Sequence, residues 1–197
     1  KDWNVTIADP DPAALERTRK KIYPSRYGQW DESITLTSPE EIEGVADLVI
    51  IGTPPDLHMK IAASVLQGKA PRVMLIEKPL CTPDLSGYKD VVRLAQKSGT
   101  HMLTGYNHVR TRNTLEAERL LASGFLGKPV SMTVRWLEHW GGIFGAHPWL
   151  SGPSDSYLGF STRGGGACGE HSHGINLFQH FARYLGAGGI TDVACMM

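Results

Sequence analysis

Lys78 follows Glu77 at the carboxyl end of a short apolar run, Val73 to Ile76, and Pro79 ends that run. Such a run predicts a strand buried on both faces of a parallel sheet. In open α/β sheets, ligands bind along the edge made by the strand carboxyl ends. An amine placed there, beside a carboxylate and partly out of water, is suited to acid/base work or to hydrogen-bonding a substrate hydroxyl. Taken alone, Glu77, Lys78 and Pro79 are better explained by an ion pair that closes a strand.

A second group lies far downstream. Gly164, Gly165 and Gly166 precede a helix expected to run to about Leu185, with Phe178, Phe181, Ala182 and Leu185 on its core face. Glu170 and His173 are three apart on a neighbouring flank, whereas His171 points closer to the apolar face. His173 is therefore the chemical histidine and His171 a buried supporting one; His180, two turns on, faces solvent. If both groups edge one crevice, Lys78 and His173 would share the proton of a substrate hydroxyl while its carbon passes hydride to a nicotinamide. Glu170 would orient or charge-stabilise the histidine. A metal held by His171 and His173 with Glu170, His139 or His147 is the other arrangement these residues offer. Side chains two apart on a helix diverge, so no metal is expected.

The elements that must position these groups follow a β-α-β rhythm up to about residue 107. Val5 to Ala8 reads as a buried strand that delivers Asp9, and a helix follows from Pro12 to Ile22 with Asp11 as its N-cap. A carboxylate ending an early strand can accept hydrogen bonds from an adenosine ribose and would repel a 2′-phosphate, favouring NAD over NADP. Ser33 to Thr37 is a short strand, and Ser38, Pro39 and Glu41 form a capping box. Ala46 to Ile51 is the next buried strand. It leads into Thr53, Pro54 and Pro55, a stiff turn that offers a flat wall to a ring system, and then a helix carrying His58 in its first turn. Thr82 caps a helix reaching about Lys97, and His101 to Asn107 is a further strand. The rhythm then changes: an amphipathic helix over 113–124, then an alternating strand, Val130 to Trp136, as in a sheet with one wet face. Residues 139–163 form a long irregular segment containing Trp140, Tyr157 and Arg163. Its aromatic faces and hydrogen-bonding groups suit a sugar-like ligand, or anchor the loop to the core.

Bulk properties narrow the class. The chain has 197 residues, 20 acidic and 20 basic, so charge gives no reason to expect nucleic acid or an anionic membrane as partner. No apolar run approaches the roughly 20 residues that span a bilayer. Cys81, Cys168 and Cys195 are odd in number and lack metal-type spacing, which favours reduced thiols and a cytoplasmic setting. A start at Lys1, close to a strand, and an end inside the strand-like run Ile190 to Met197 read as an internal piece of a longer protein.

Asp9, Thr53 and Pro54 with His58, Glu77-Lys78-Pro79, Gly105-Tyr106-Asn107, the stretch Gly124 to Pro129, and the glycines 164–166 occur in that order. Together they resemble the Gfo/Idh/MocA oxidoreductases, the glucose–fructose oxidoreductase and inositol dehydrogenase family. The resemblance implies a Rossmann-like domain over 1–108, a doubly wound parallel sheet incomplete at its N-terminus. It implies an α+β domain over 109–197 with a largely antiparallel open sheet, incomplete at its C-terminus. It also implies NAD(P)-dependent hydride transfer on a sugar, nucleotide sugar or cyclitol, and a homo-oligomer, dimer or tetramer, built through the second sheet. By position, Glu77 would lie near the nicotinamide ribose, Lys78 at the substrate hydroxyl, and Glu170 and His173 at the acid/base places. Asp9, Thr53, Pro54 and His58 are then cofactor residues, and Asn107, Trp140, Tyr157 and Arg163 substrate residues. The chain departs from the pattern twice. The first strand and its G-x-G-x-x-G turn, expected upstream of Lys1, are not in it. The family's acid/base pair is Asp and His four apart; counting from the glycines puts Glu170 at the first place and Gly174 at the second, and His173 fits only with a turn one residue shorter. The same fold also serves non-catalytic NAD-sensing regulators and NAD-assisted glycosidases, which are the alternative readings.

Overall fold

The structure, a computed structural model, describes residues 3–194 apart from the side chains of Ala146, Ala167 and Cys168. It contains two compact units, residues 1–45 and 46–197. In the first, β1 (Thr6–Ala8) and β2 (Thr35–Thr37) pair in parallel, Thr6 opposite Thr35 and Ala8 opposite Thr37. Asp11 caps α1 (Pro12–Arg17), its carboxylate accepting from the Ala13 N–H at 2.9 Å. The helix does not stop at Ile22 as expected. A π-helical stretch, Thr18–Ile22, carries it into α2 (Tyr23–Tyr27). The widened turn comes just before Pro24, whose ring and missing N–H would interrupt a regular α-helix. The capping box of Ser38 and Glu41 forms as expected, on the three-residue 3-10 turn Pro39–Glu41.

The second unit is built on a parallel sheet in the order β3 (Leu48–Ile51), β4 (Val73–Ile76), β5 (His101–Thr104). Ile51, Ile76 and Thr104 lie level at its carboxyl edge. Crossover helices α3 (Pro55–Gln67) and α4 (Tyr88–Ser98) cover one face, where Ile51, Met74 and Ile76 meet Met59, Ala62, Leu66, Val91 and Ala95. Burial on both faces was expected and is not found. Leu48, Ile50 and Leu103, on the other face, are 38%, 59% and 53% exposed. The doubly wound sheet is thus present among the described residues as two separate parallel sheets, one in each unit. The helix expected from Thr82 starts only at Tyr88. Asp84 ties residues 82–86 into a turn through Thr82 Oγ1 and Ser86, and Gly87 is left-handed at φ 76°. Leu85, expected inward, is consequently exposed.

After β5 come a 3-10 turn, Asn107–Arg110, and α5 (Arg112–Ala122). Residues 130–136 form no strand among the described residues. Met132, Val134 and Trp136 are half-buried and Ser131, Thr133 and Arg135 exposed, so the alternation is real while the hydrogen-bonded neighbour that defines a strand is lacking. The segment 139–163 is less irregular than expected: it holds α6 (Trp140–Ala146) and the 3-10 turns Pro153–Asp155, Tyr157–Gly159 and Ser161–Arg163. The final helix is two helices, α7 (Gly166–Glu170) and α8 (Ser172–Tyr184), broken at His171 with φ −85° and ψ 7°. Residues 190–194 form no strand, and the rest of the strand-like run, with Cys195, lies outside the described residues.

Candidate active site

The parallel register delivers Lys78 just past the carboxyl end of β4, the central strand of its sheet. Backbone hydrogen bonds continue one step beyond the strands, from Glu77 N to Ile51 O at 2.9 Å and from Gly105 N to Ile76 O at 2.8 Å. This turn is therefore held on both sides. Gly105 permits the Glu77 carboxylate to lie across it, since a Cβ there would fall 2.6 Å from Glu77 Oε2. Lys78 Nζ is 3.0 Å from Glu170 Oε1, with the two side chains only 13% and 14% exposed. Residues 92 positions apart in sequence thus share one ion pair out of bulk water, where electrostatics is less screened.

His173 stands beside that pair. The residue is 8% exposed and packs in an aromatic box: His108 at a ring separation of 4.4 Å, Trp136 at 5.5 Å and Tyr106 at 5.8 Å. Gly174 admits the tryptophan, for a Cβ there would sit 2.8 Å from Trp136 Cβ. Burial, then the Lys78 charge and His108, hold the His173 imidazole down at a pKa of about 4, against an opposing pull from Glu138. The ring is thus uncharged at neutral pH. Its Nδ1 is buried without a hydrogen-bond partner among the described residues. The expected roles of the neighbouring histidines change. His171 is the more exposed, 3.8 Å from Glu138, because the helix breaks at this residue and turns it away from the core. His180 is not simply solvent-facing: its Nε2 lies 2.6 Å from Glu118 Oε1 and joins α8 to α5.

Tyr157 is half-buried and feels Glu170 and Glu77. Its phenol is pushed up to about 12 by burial first and by those carboxylates second, so it keeps its proton as a donor. Thr53 and Pro54 form the turn after β3, and Thr53 Oγ1 is buried without a partner among the described residues. His58, expected to touch a cofactor, has no exposed surface. Its ring nitrogens face main-chain carbonyls instead, Nε2 that of Thr53 at 2.6 Å and Nδ1 those of Pro79 and Leu80 at 3.1 and 3.3 Å. It braces the Thr53 turn against the Lys78 turn. Arg163 Nε donates to Asp56 Oδ2 at 2.6 Å, so the guanidinium expected at a substrate is engaged by the first turn of α3. Asn107 is exposed at the start of its 3-10 turn, and Trp140 stacks on Phe144. Neither has a ring contact or hydrogen bond to the Lys78–Glu170–His173 group among the described residues. In the first unit, Asp9 ends β1 as expected, with Oδ1 accepting from the Asp11 N–H at 2.8 Å.

Three contributors were missed from sequence: Tyr106, His108 and Trp136, the walls around His173. Trp136 was legible as an inward residue of an alternating segment, but nothing in its spacing says what it faces.

Comparison with known proteins bears on the fold and the family. Residues 4–106, more than half of the chain, match the GFO_IDH_MocA model, described as an oxidoreductase family with an NAD-binding Rossmann fold. Among solved structures, the fold is similar to that of myo-inositol 2-dehydrogenase from Lactobacillus plantarum. There the TM-score is 0.64 at 15% identity, over 90% of this chain and 48% of that one. It is also similar to an NAD binding oxidoreductase from Klebsiella pneumoniae, with a TM-score of 0.51 at 20% identity over 89% of this chain and 43% of that one. The chain thus spans less than half the length of these relatives. No curated protein matches it. The chain belongs to the Gfo/Idh/MocA family of oxidoreductases, whose Rossmann fold binds NAD.

Proposed function

We propose that the protein is an NAD-dependent oxidoreductase acting on a CH–OH carbon of a sugar, nucleotide sugar or cyclitol, with Lys78, Glu170 and His173 as its reacting groups. The observation that carries this reading is the buried Lys78–Glu170 ion pair at the carboxyl end of β4 with an uncharged His173 beside it. The residues present fit the cofactor. Thr53 Oγ1 is a buried polar atom lacking a partner among the described residues on the ligand-binding edge of the sheet, and Tyr157 and Glu77 add hydrogen-bonding groups there. Asp9, in the first unit, offers a carboxylate to ribose hydroxyls and disfavours a 2′-phosphate. When bound, NAD supplies the hydride acceptor.

The chain's own residues then do the rest. Glu170 fixes the Lys78 ammonium, leaving its other N–H groups to donate to the substrate oxygen and stabilise the charge that grows there. His173, uncharged, has a lone pair at Nε2 to accept the alcohol proton; in the reductive direction it returns that proton. The aromatic box keeps water from the imidazole. Residues 1–108 are read as the cofactor domain and 109–197 as the substrate domain. Residues 130–136 become one strand of a largely antiparallel sheet once paired. Val130 and Leu137, 98% and 82% exposed, support an assembly of identical subunits through that region. The test is a panel of free sugars, nucleotide sugars and cyclitols, assayed by nicotinamide absorbance with the full-length protein. Net NADH formation with one class supports the proposal, and tight NAD binding without turnover on any of them opposes it.

A further inference from the structure

Among the described residues, the Lys78–Glu170 pair is one of two ion pairs that join α3 and β4 to the loop and helix carrying Glu170. The other is Asp56 with Arg163, 107 residues apart: Nε donates to Oδ2 at 2.6 Å and Nη2 to Oδ1 at 3.4 Å. Between them runs a seam with no room for side chains. Gly164 is buried at φ 91°, and a Cβ on it would lie 2.7 Å from Pro55 Cβ and 3.4 Å from Pro79 Cγ. A Cβ on Gly165 would run into the Tyr157 and Leu158 carbonyls, and one on Gly169 into the Gly164 carbonyl. Asp56 follows Pro55, Arg163 precedes Gly164, Lys78 precedes Pro79 and Glu170 follows Gly169. Each ion pair therefore extends directly from residues of the seam.

We propose that Asp56 and Arg163 are a positioning pair that seats the glycine seam on Pro55 and Pro79 and thereby sets the approach of Glu170 to Lys78. The proposal rests on the reading of Lys78 and Glu170 as reacting groups. The geometry favours a positioning role over substrate binding for Arg163, because the guanidinium is already held in a two-point contact with a carboxylate. Asp56 has no other ion-pair partner among the described residues and sits in the first turn of α3, where a carboxylate is favoured by the helix dipole. As a partly exposed pair, at 42% and 28% side-chain exposure, it adds little to global stability. Its effect falls on geometry, and misplacement of a reacting group by about 1 Å costs on the order of a hundredfold in rate.

The test uses the full-length protein with Asp56→Ala, Arg163→Ala and the swapped pair Asp56→Arg with Arg163→Asp. Two readouts separate this inference from the reading it rests on. One is the rate at which acetic anhydride labels Lys78, relative to the exposed Lys60 in the same sample, measured by mass spectrometry. The other is the kcat and KM split on whichever substrate the panel yields. In each single variant, Lys78 labelling should rise several-fold and kcat should fall by about tenfold or more, with KM for the substrate changed less than about threefold. The swapped pair should restore part of both. Arg119→Ala, which breaks the surface pair with Glu116, should change neither. Unchanged Lys78 labelling in both single variants overturns the positioning role. So does a loss confined to KM, which would return Arg163 to the substrate. If no substrate turns over but labelling rises as stated, the positioning pair stands and the oxidoreductase reading falls.

Discussion

Lowering the pH should destabilise the protein through His173 in a calculable way. Its folded pKa is depressed from 6.5 to about 4, chiefly by burial in the box of Tyr106, His108 and Trp136. Unfolded chains bind a proton at this site through the window between those two values and the folded protein does not, so stability rises with pH there. The contribution is fully present above 6.5 and is lost as pH falls toward 4. Integrating the two titrations gives a loss of about 2 kcal/mol on going from about pH 7.5 to about pH 5. Urea unfolding of the wild type and of His173→Phe at both pH values isolates the effect, because every other titrating group is common to the two proteins. The variant should show a pH-dependent loss smaller by about 2 kcal/mol, and the His173 ring proton should titrate near 4 in the wild type. Equal losses in the two proteins, or a ring titrating near 6.5, would refute the claim that His173 is held neutral by its box.

Gly174→Ala should lower stability by about 1–3 kcal/mol in urea unfolding, because the added methyl would meet the Cβ of Trp136 at 2.8 Å; a neutral substitution would mean that Trp136 does not pack on α8. Asp9→Ser should narrow the preference for NAD over NADP by tenfold or so, read from the two dissociation constants, if the carboxylate is what repels a 2′-phosphate; an unchanged ratio would remove Asp9 from the ribose site. Glu170→Gln should slow turnover and also destabilise the protein, since the Lys78 ammonium is left without its carboxylate in a site 13% exposed. A variant as stable as the wild type would contradict the observed burial of the pair.

The positions of β3, β4 and β5 were legible because each stands on a short apolar run, and α3 buries Ala62 and Leu66 as expected. Helix ends were harder to place. Thr82 reads as the cap of a helix, but Asp84 closes a turn there and left-handed residues at Leu85 and Gly87 delay the helix to Tyr88. The break at His171 was hidden because no proline or glycine stands at that position, and with it went the expected burial of His171. Long-range pairings, Lys78 with Glu170, Arg163 with Asp56 and His180 with Glu118, have no local signature. The types of residue involved could be named from sequence, but which would meet depended on the path of the chain between them.

The central claim is that Lys78 acts on the substrate oxygen. Lys78→Met keeps most of the side chain's length and removes its charge, and NAD binding and single-turnover NADH formation can be measured on the same full-length protein. The hydride-transfer step should be slower by about two orders of magnitude or more, with NAD affinity nearly unchanged. Turnover at the wild-type rate would contradict it.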